Sequence, residues 1–161
     1  PGVGAFGDAA DKLRALRLDG LLKNLAAAGK PLLGVCLGMQ LLFEQSEEYG
    51  AHEGLGLIRG KIVPLAPVAG GRKVPHMGWN SLELEKPEDP LMAGVRQGDY
   101  VYFVHSFYAA DCEDALVATA EYGAKVAAVV RSGSVCGTQF HPEKSGEVGL
   151  RILASFAKGA A

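Results

Sequence analysis

The sequence predicts an α/β fold: a mostly parallel open sheet with helices on both faces, extended by a short antiparallel section. Three observations predict it. Residues 30–35 form a short apolar run between two helical patterns, as a strand buried on both faces of a parallel sheet does. Gly34-Val35-Cys36-Leu37-Gly38 then marks a strand turning sharply into a helix. Beyond residue 115, β-branched and apolar runs alternate with glycine-bearing turns, the pattern of consecutive antiparallel strands.

The elements follow in order. Pro1-Gly2-Val3-Gly4 opens the chain with no strand before it. A doubly wound domain beginning there exposes apolar sheet surface, so a single domain over residues 1–161, N-terminally truncated and lacking its first β-α-β unit, is expected. The plainer alternative is a glycine-rich cap without a role. Residues 8–28 read as helix, with Leu13, Leu16, Leu21, Leu22 and Leu25 roughly in register, Gly29 as a stop and an interruption near Asp19-Gly20. Residues 38–46 read as the helix after the turn, burying Met39, Leu41, Leu42 and Phe43. Residues 54–63 read as turn then strand, and proline and glycine make 64–71 a loop. Residues 73–80 carry His76 and Trp79; 82–85 alternate as a half-exposed strand; 100–104 form an aromatic, β-branched strand leading to His105-Ser106-Phe107. Residues 116–121 and 125–131 pair about Tyr122-Gly123, 135–140 follow through Ser132-Gly133-Ser134, and 146–158 close the chain as a helix burying Val148, Leu150, Ile152, Leu153 and Phe156. Residues 159–161 are expected to fray.

Composition narrows the functions. At 161 residues, 48% apolar and with a net charge of −2, the chain has the make-up of a globular domain, and its scattered basic residues argue against a nucleic-acid partner. No apolar run approaches the roughly 18 residues of a membrane span and no charged leader precedes an apolar stretch, so a cytoplasmic protein without a membrane partner is expected. Cys36, Cys112 and Cys136 are odd in number and form no CxxC. They support neither a disulfide framework nor a zinc site, and no metal or cofactor is expected; Cys112 and Cys136 read as structural.

Cys36 and His141 are the residues with chemistry to do. At a strand-to-helix corner a cysteine is held in a strained backbone, flanking glycines let neighbouring backbones approach, and the helix N-terminus favours thiolate over thiol. The Leu37 amide points where an oxyanion would form, and Gln40, one turn on, can share the pocket. Cys36 alone reads equally as a small buried apolar residue. Far along the chain, Pro142 pushes His141 into extended geometry. If Glu143 continues that extension, imidazole and carboxylate share a face, a base held in one tautomer. His105 competes for the role of base but has no carboxylate two residues on.

The Gly34–Gln40 elbow with the distal His141-Pro142-Glu143 resembles the class I (triad) glutamine amidotransferases. Pro75-His76-Met77-Gly78-Trp79-Asn80, the string Tyr102-Phe103-Val104-His105-Ser106-Phe107-Tyr108 and Lys144-Ser145-Gly146 are similar to the glutaminase branch that serves imidazole glycerol phosphate synthase. The resemblance implies that Cys36 attacks the glutamine carboxamide, His141 moves protons and Glu143 orients His141. It implies that Pro1–Gly4 is the oxyanion loop, with Val3 and Gly4 beside Leu37 and a peptide flip at Val3. It further implies substrate contacts at Gly2, Gly4, Gln40, Glu48, His105, Ser106 and Phe107. A cyclase subunit of β/α-barrel form would face Trp79, Asn80, Tyr102 and Lys144. A glutaminase of another synthase, or a non-catalytic module on the same fold, remains the alternative. For His76 and Trp79 a purely structural role stands beside the partner-facing one.

Overall fold

The computed structural model describes residues 1–159; Ala160 and Ala161, in the tail expected to fray, lie outside the described residues. The predicted long helix forms as two, α1 (Phe6–Ala15) and α2 (Leu18–Ala27). The break falls at Arg17, which takes a left-handed φ of 57°, and not at Asp19-Gly20. Asp19 lies in the first turn of α2, where its carboxylate complements the positive end of the helix dipole.

After β1 (Leu32–Val35) comes α3 (Leu37–Gln40), only one turn long. The helix expected over 38–46 stops there because pairing overrides local propensity. Leu41 and Leu42 carbonyls accept from the amides of Leu55, Leu57 and Ile58, and β2 (Phe43–Ser46) is drawn into a sheet with β3 (His52–Glu53) and β4 (Ile58–Pro64). Phe43, fully buried, packs with Ile58 and Ile62, while the Glu44 carboxylate accepts from the Gly60 amide at 2.9 Å.

The rest of the chain supplies β5 (His76–Ser81), β6 (Glu83–Leu84), β7 (Tyr100–His105), β8 (Phe107–Ala110), β9 (Leu116–Glu121), β10 (Lys125–Ser132), β11 (Val135–Thr138) and α4 (Gly146–Ala157). β8 has no counterpart in the sequence reading. Three sheets result, ordered β1-β11-β10-β9-β6, β3-β2-β4-β8 and β5-β7. The α/β class holds and the sheets are mixed. Among the described residues parallel pairing is confined to β1 with β11 and β2 with β4, so the antiparallel part is larger than predicted.

Helices cover both faces of the first sheet. A bulge in β10 sends Ala127 and Val130 toward the cluster holding Phe6 and Ala10 of α1, and Ala128 and Val129 toward the cluster holding Ile152 of α4. In α4 the expected burial of Leu150 fails: it is 62% exposed, because two residues along a helix from buried Ile152 is nearly its opposite side. Among the described residues no helix is long and apolar enough to cross a membrane.

Candidate active site

The site is built where β1 and β11 run side by side. Cys36 stands between β1 and α3 with φ 52° and ψ −112°, a conformation that costs on the order of 1–3 kcal/mol and persists only where its surroundings fix it. They do: its amide donates to the Thr138 carbonyl at 2.8 Å, and a Cβ on Gly34 would come within 2.5 Å of the Gly38 carbonyl oxygen. Gly34 is therefore required by the elbow. Gly38 is less so, since a Cβ there would meet nothing nearer than Pro1 at 3.8 Å.

β11 leads directly into His141, which is extended (φ −95°, ψ 99°) as the following proline demands. Glu143 does not continue the extension. It sits in the turn Pro142–Lys144, and that turn swings its carboxylate to 2.7 Å from His141 Nδ1. The His141 amide donates to the Tyr102 carbonyl at 3.0 Å, and the Ser145 hydroxyl, itself buried, donates to the His141 carbonyl at 2.6 Å while accepting from the Tyr102 amide at 2.9 Å. The histidine loop is thus clamped to β7 from both sides.

Cys36 and His141, far apart in sequence, line one cavity of about 320 Å³ together with Gly2, Val3, Gly4, Leu37, Gln40, Glu48, His105, Ser106 and Phe107. Every residue expected to hold substrate or oxyanion is in that wall. Val3 points its side chain to solvent, 89% exposed, so its backbone is what the cavity meets. Glu48 accepts from the Phe6 amide at 2.8 Å, tying the start of α1 to the wall. Gln40 Nε2 donates to the Phe107 carbonyl and to Gln139 Oε1, both at 3.1 Å.

The expected depression of the cysteine pKa does not occur. Burial pushes the Cys36 thiol up; the Leu37 amide opposes this and the Glu143 charge adds to it. A single helical turn has too small a dipole to reverse that balance. Partial burial also pushes the Glu143 carboxyl up, but its own backbone amide, His141 and Lys144 together hold it below the usual carboxylate range.

His105 cannot act as the base. Its Nδ1 lies 2.8 Å from the Phe107 carbonyl and its Nε2 3.0 Å from His76 Nδ1, and burial lowers its pKa to about 3. His76 is buried between the rings of Phe103 and Tyr122, with centroids 4.5 and 3.9 Å away, and burial lowers its pKa to about 4. Trp79 is 56% exposed and packs edge-on against Tyr102 at 6.1 Å. Lys144 is exposed, whereas Asn80 is committed inward, its Nδ2 donating to the Glu121 carbonyl at 2.9 Å.

Two site residues escaped the sequence reading. Gln139, fully buried, places Nε2 3.8 Å from Cys36 Sγ; its parity with His141 on an extended segment was the available signal. Ser145 stood in the Lys144-Ser145-Gly146 string of the resemblance, but nothing there pointed to its clamping role. Among the described residues no group of three or more His, Cys, Asp or Glu side chains is placed to hold a metal ion.

The glutamine amidotransferase class-I family profile matches residues 1–159. Imidazole glycerol phosphate synthase subunit HisH of Bacillus licheniformis is 55% identical, over 97% of this chain and 74% of its own length. The same subunit of Bacillus subtilis is 54% identical over 100% of this chain and 77% of its own, and that of Lactiplantibacillus plantarum is 52% identical over 97% and 74%. The chain therefore spans about three quarters of the length of these curated relatives. Among solved structures, a glutamine amidotransferase superposes with a TM-score of 0.72 at 19% identity over 98% of this chain and 75% of that one, and PurLQS from Thermotoga maritima with 0.67 at 21% over 89% and 68%. Those identities show the fold alone.

Proposed function

This chain belongs to the class-I glutamine amidotransferases, and we propose that it is the glutaminase subunit of an imidazole glycerol phosphate synthase. In this reading it hydrolyses glutamine to glutamate and ammonia and passes the ammonia to a cyclase subunit of β/α-barrel form in histidine biosynthesis, in the cytoplasm. The carrying observation is that the strained Cys36 and His141, the latter held by Glu143, line one cavity. The HisH names of relatives above 50% identity support the branch.

Cys36 Sγ adds to the glutamine carboxamide carbon as its proton passes to His141. The resulting oxyanion accepts from the Leu37 amide and from an amide of Gly2–Gly4. His141 returns the proton to nitrogen, the C–N bond breaks, and ammonia leaves a glutamyl thioester. Water then loses a proton to His141 and adds, the C–S bond breaks, and sulfur recovers its proton. Glu143 holds His141 in the tautomer that presents Nε2 to the cavity. Glu48 suits the substrate ammonium, and the backbone of Ser106 and Phe107 suits its carboxylate end, whereas Gln40 and His105 shape the same wall with their N–H groups already taken. Because burial holds the resting sulfur as thiol, the proton must move as substrate arrives. Slow turnover without the partner is therefore expected.

The test is reconstitution with the cyclase subunit. Cys36→Ala should abolish imidazole glycerol phosphate formation from glutamine while leaving formation from ammonia intact. Glutamate release should rise when the cyclase's nucleotide substrate is added. Unchanged synthesis from glutamine in the variant removes the catalytic assignment; absence of stimulation removes the branch.

A further inference from the structure

We propose that Gln139 is a further catalytic residue: its side-chain amide, oriented by Gln40, donates to Cys36 Sγ and stabilises that sulfur as it becomes thiolate. The inference rests on the reading of Cys36 as nucleophile and deepens it. The amide's orientation follows from its partners. The Phe107 carbonyl can only accept, so the Gln40 atom 3.1 Å from it is Nε2. The second hydrogen of that nitrogen points to Gln139, whose atom 3.1 Å away must then be the oxygen. This leaves Gln139 Nε2 for Cys36, at 3.8 Å from Sγ, a long contact for an N–H donor to a thiol that a thiolate would draw in. Gln139 has no exposed surface, so water does not compete for either end.

Besides the Leu37 amide and the charges of Glu143, Lys144 and the Pro1 ammonium, two neutral neighbours of the sulfur act oppositely on its protonation. The Val104 carbonyl, 3.9 Å from Sγ, can accept only from the thiol S–H and repels the lone pairs of a thiolate. Gln139 donates to lone pairs that are present in both forms, and its bond becomes charge-assisted once the proton has gone. In a buried corner where desolvation disfavours the anion, a fixed neutral donor lowers the cost of the charged state without an ion pair that would keep the cysteine ionised at rest. Gln40 is the positioning residue of this arrangement: without its N–H, nothing prevents the Gln139 amide from turning its oxygen to the sulfur.

The test reads the sulfur directly, without glutamine. In the full chain, the rate of Cys36 alkylation by iodoacetamide is followed against pH by mass spectrometry of the Cys36 peptide. Gln139→Met, which keeps length and volume but cannot donate, should move the midpoint up by about one pH unit, a tenfold slower reaction below the midpoint. The plateau rate at high pH should stay the same, showing that access is unaltered. Gln40→Met should move the midpoint in the same direction by less, about threefold in rate, and it decides the matter alone if Gln139→Met does not fold. A folded Gln139→Met, or in its absence a folded Gln40→Met, with the wild-type midpoint overturns the proposal. Because no turnover is measured, a midpoint shift stands even if the glutaminase assay fails, so the two readings fail separately.

Discussion

Two buried histidine pairs lie within a few residues of the same cavity, and they have opposite chemistry. His141 meets a carboxylate through Nδ1, at 2.7 Å, and its other nitrogen is left for the cavity it lines. His76 and His105 meet each other at 3.0 Å, and their remaining nitrogens are also spent. Asn80 Nδ2, fixed as a donor by the Glu121 carbonyl, reaches His76 Nε2 at 3.3 Å, and His105 Nδ1 donates to the Phe107 carbonyl at 2.8 Å. Hydrogens therefore run one way, from Asn80 through both rings to Phe107, and neither ring has room for another proton. A buried imidazole is made into a base by an acid on one side and an open cavity on the other; with acceptor and donor both supplied it is a structural strut.

Replacing His141 is the most severe way to break that contrast. His141→Asn should lower the glutaminase rate by on the order of 10³-fold or more, as loss of a triad member does, with folding retained. Glu143→Gln should cost less, about 10²-fold, because the carboxylate side chain is 49% exposed and solvent supplies part of its orienting role. Glutamate release by the reconstituted complex measures both. A loss at Glu143 equal to that at His141 would show that the acid does more than orient.

The strut should answer in stability. His76→Leu fills most of the space between Phe103 and Tyr122 but leaves a buried His105 nitrogen without its donor, a loss of about 1–3 kcal/mol in urea unfolding. The pH dependence carries the sign. Both folded pKa values, about 4 for His76 and about 3 for His105, lie below the ordinary 6.5. Below about pH 6.5 the unfolded chain binds more protons than the folded one, so stability falls as pH drops from there toward the folded values. Between pH 7 and pH 5 the loss should be on the order of 1–2 kcal/mol for each ring, and His76→Leu should remove about half of it. An unchanged slope in the variant would mean that the pair is not held neutral.

What could be read from the sequence divides along the same line. The residues proposed as a triad, Cys36, His141 and Glu143, lie in short motifs whose spacing encodes local backbone geometry, and the constraints at Gly34 and at the proline after His141 survive in three dimensions. His141 and Glu143 met as expected, although through a turn and not through continued extension. The pairing of His76 with His105, the place of Gln139 under Cys36 and the conversion of residues 43–46 from helix to strand all depend on which strands pair across the chain, and no local pattern carries that. The protonation of Cys36 was misjudged for the same reason: the helix dipole is a local quantity, whereas burial, the larger effect here, is a property of the whole site.

The outer face of the two-stranded β5–β7 sheet supplies the smallest expected effect. Along β5 the side chains alternate: His76 and Asn80 turn inward, while Met77 and Trp79, at 62% and 56% exposure, turn out beside the exposed Tyr100 of β7. Trp79 is more than half exposed and meets the edge of Tyr102, so Trp79→Ser should change folding stability by no more than about 0.5 kcal/mol, the range of surface substitutions. If this face receives the cyclase, the same substitution should weaken that complex by about 2 kcal/mol or more, because exposed tryptophans at interface centres carry much of the binding energy. Titration of the cyclase against wild-type and variant chains separates the outcomes. Equal affinities would move the docking surface elsewhere, whereas a large loss of folding stability would mean that Trp79 belongs with His76 as part of the strut.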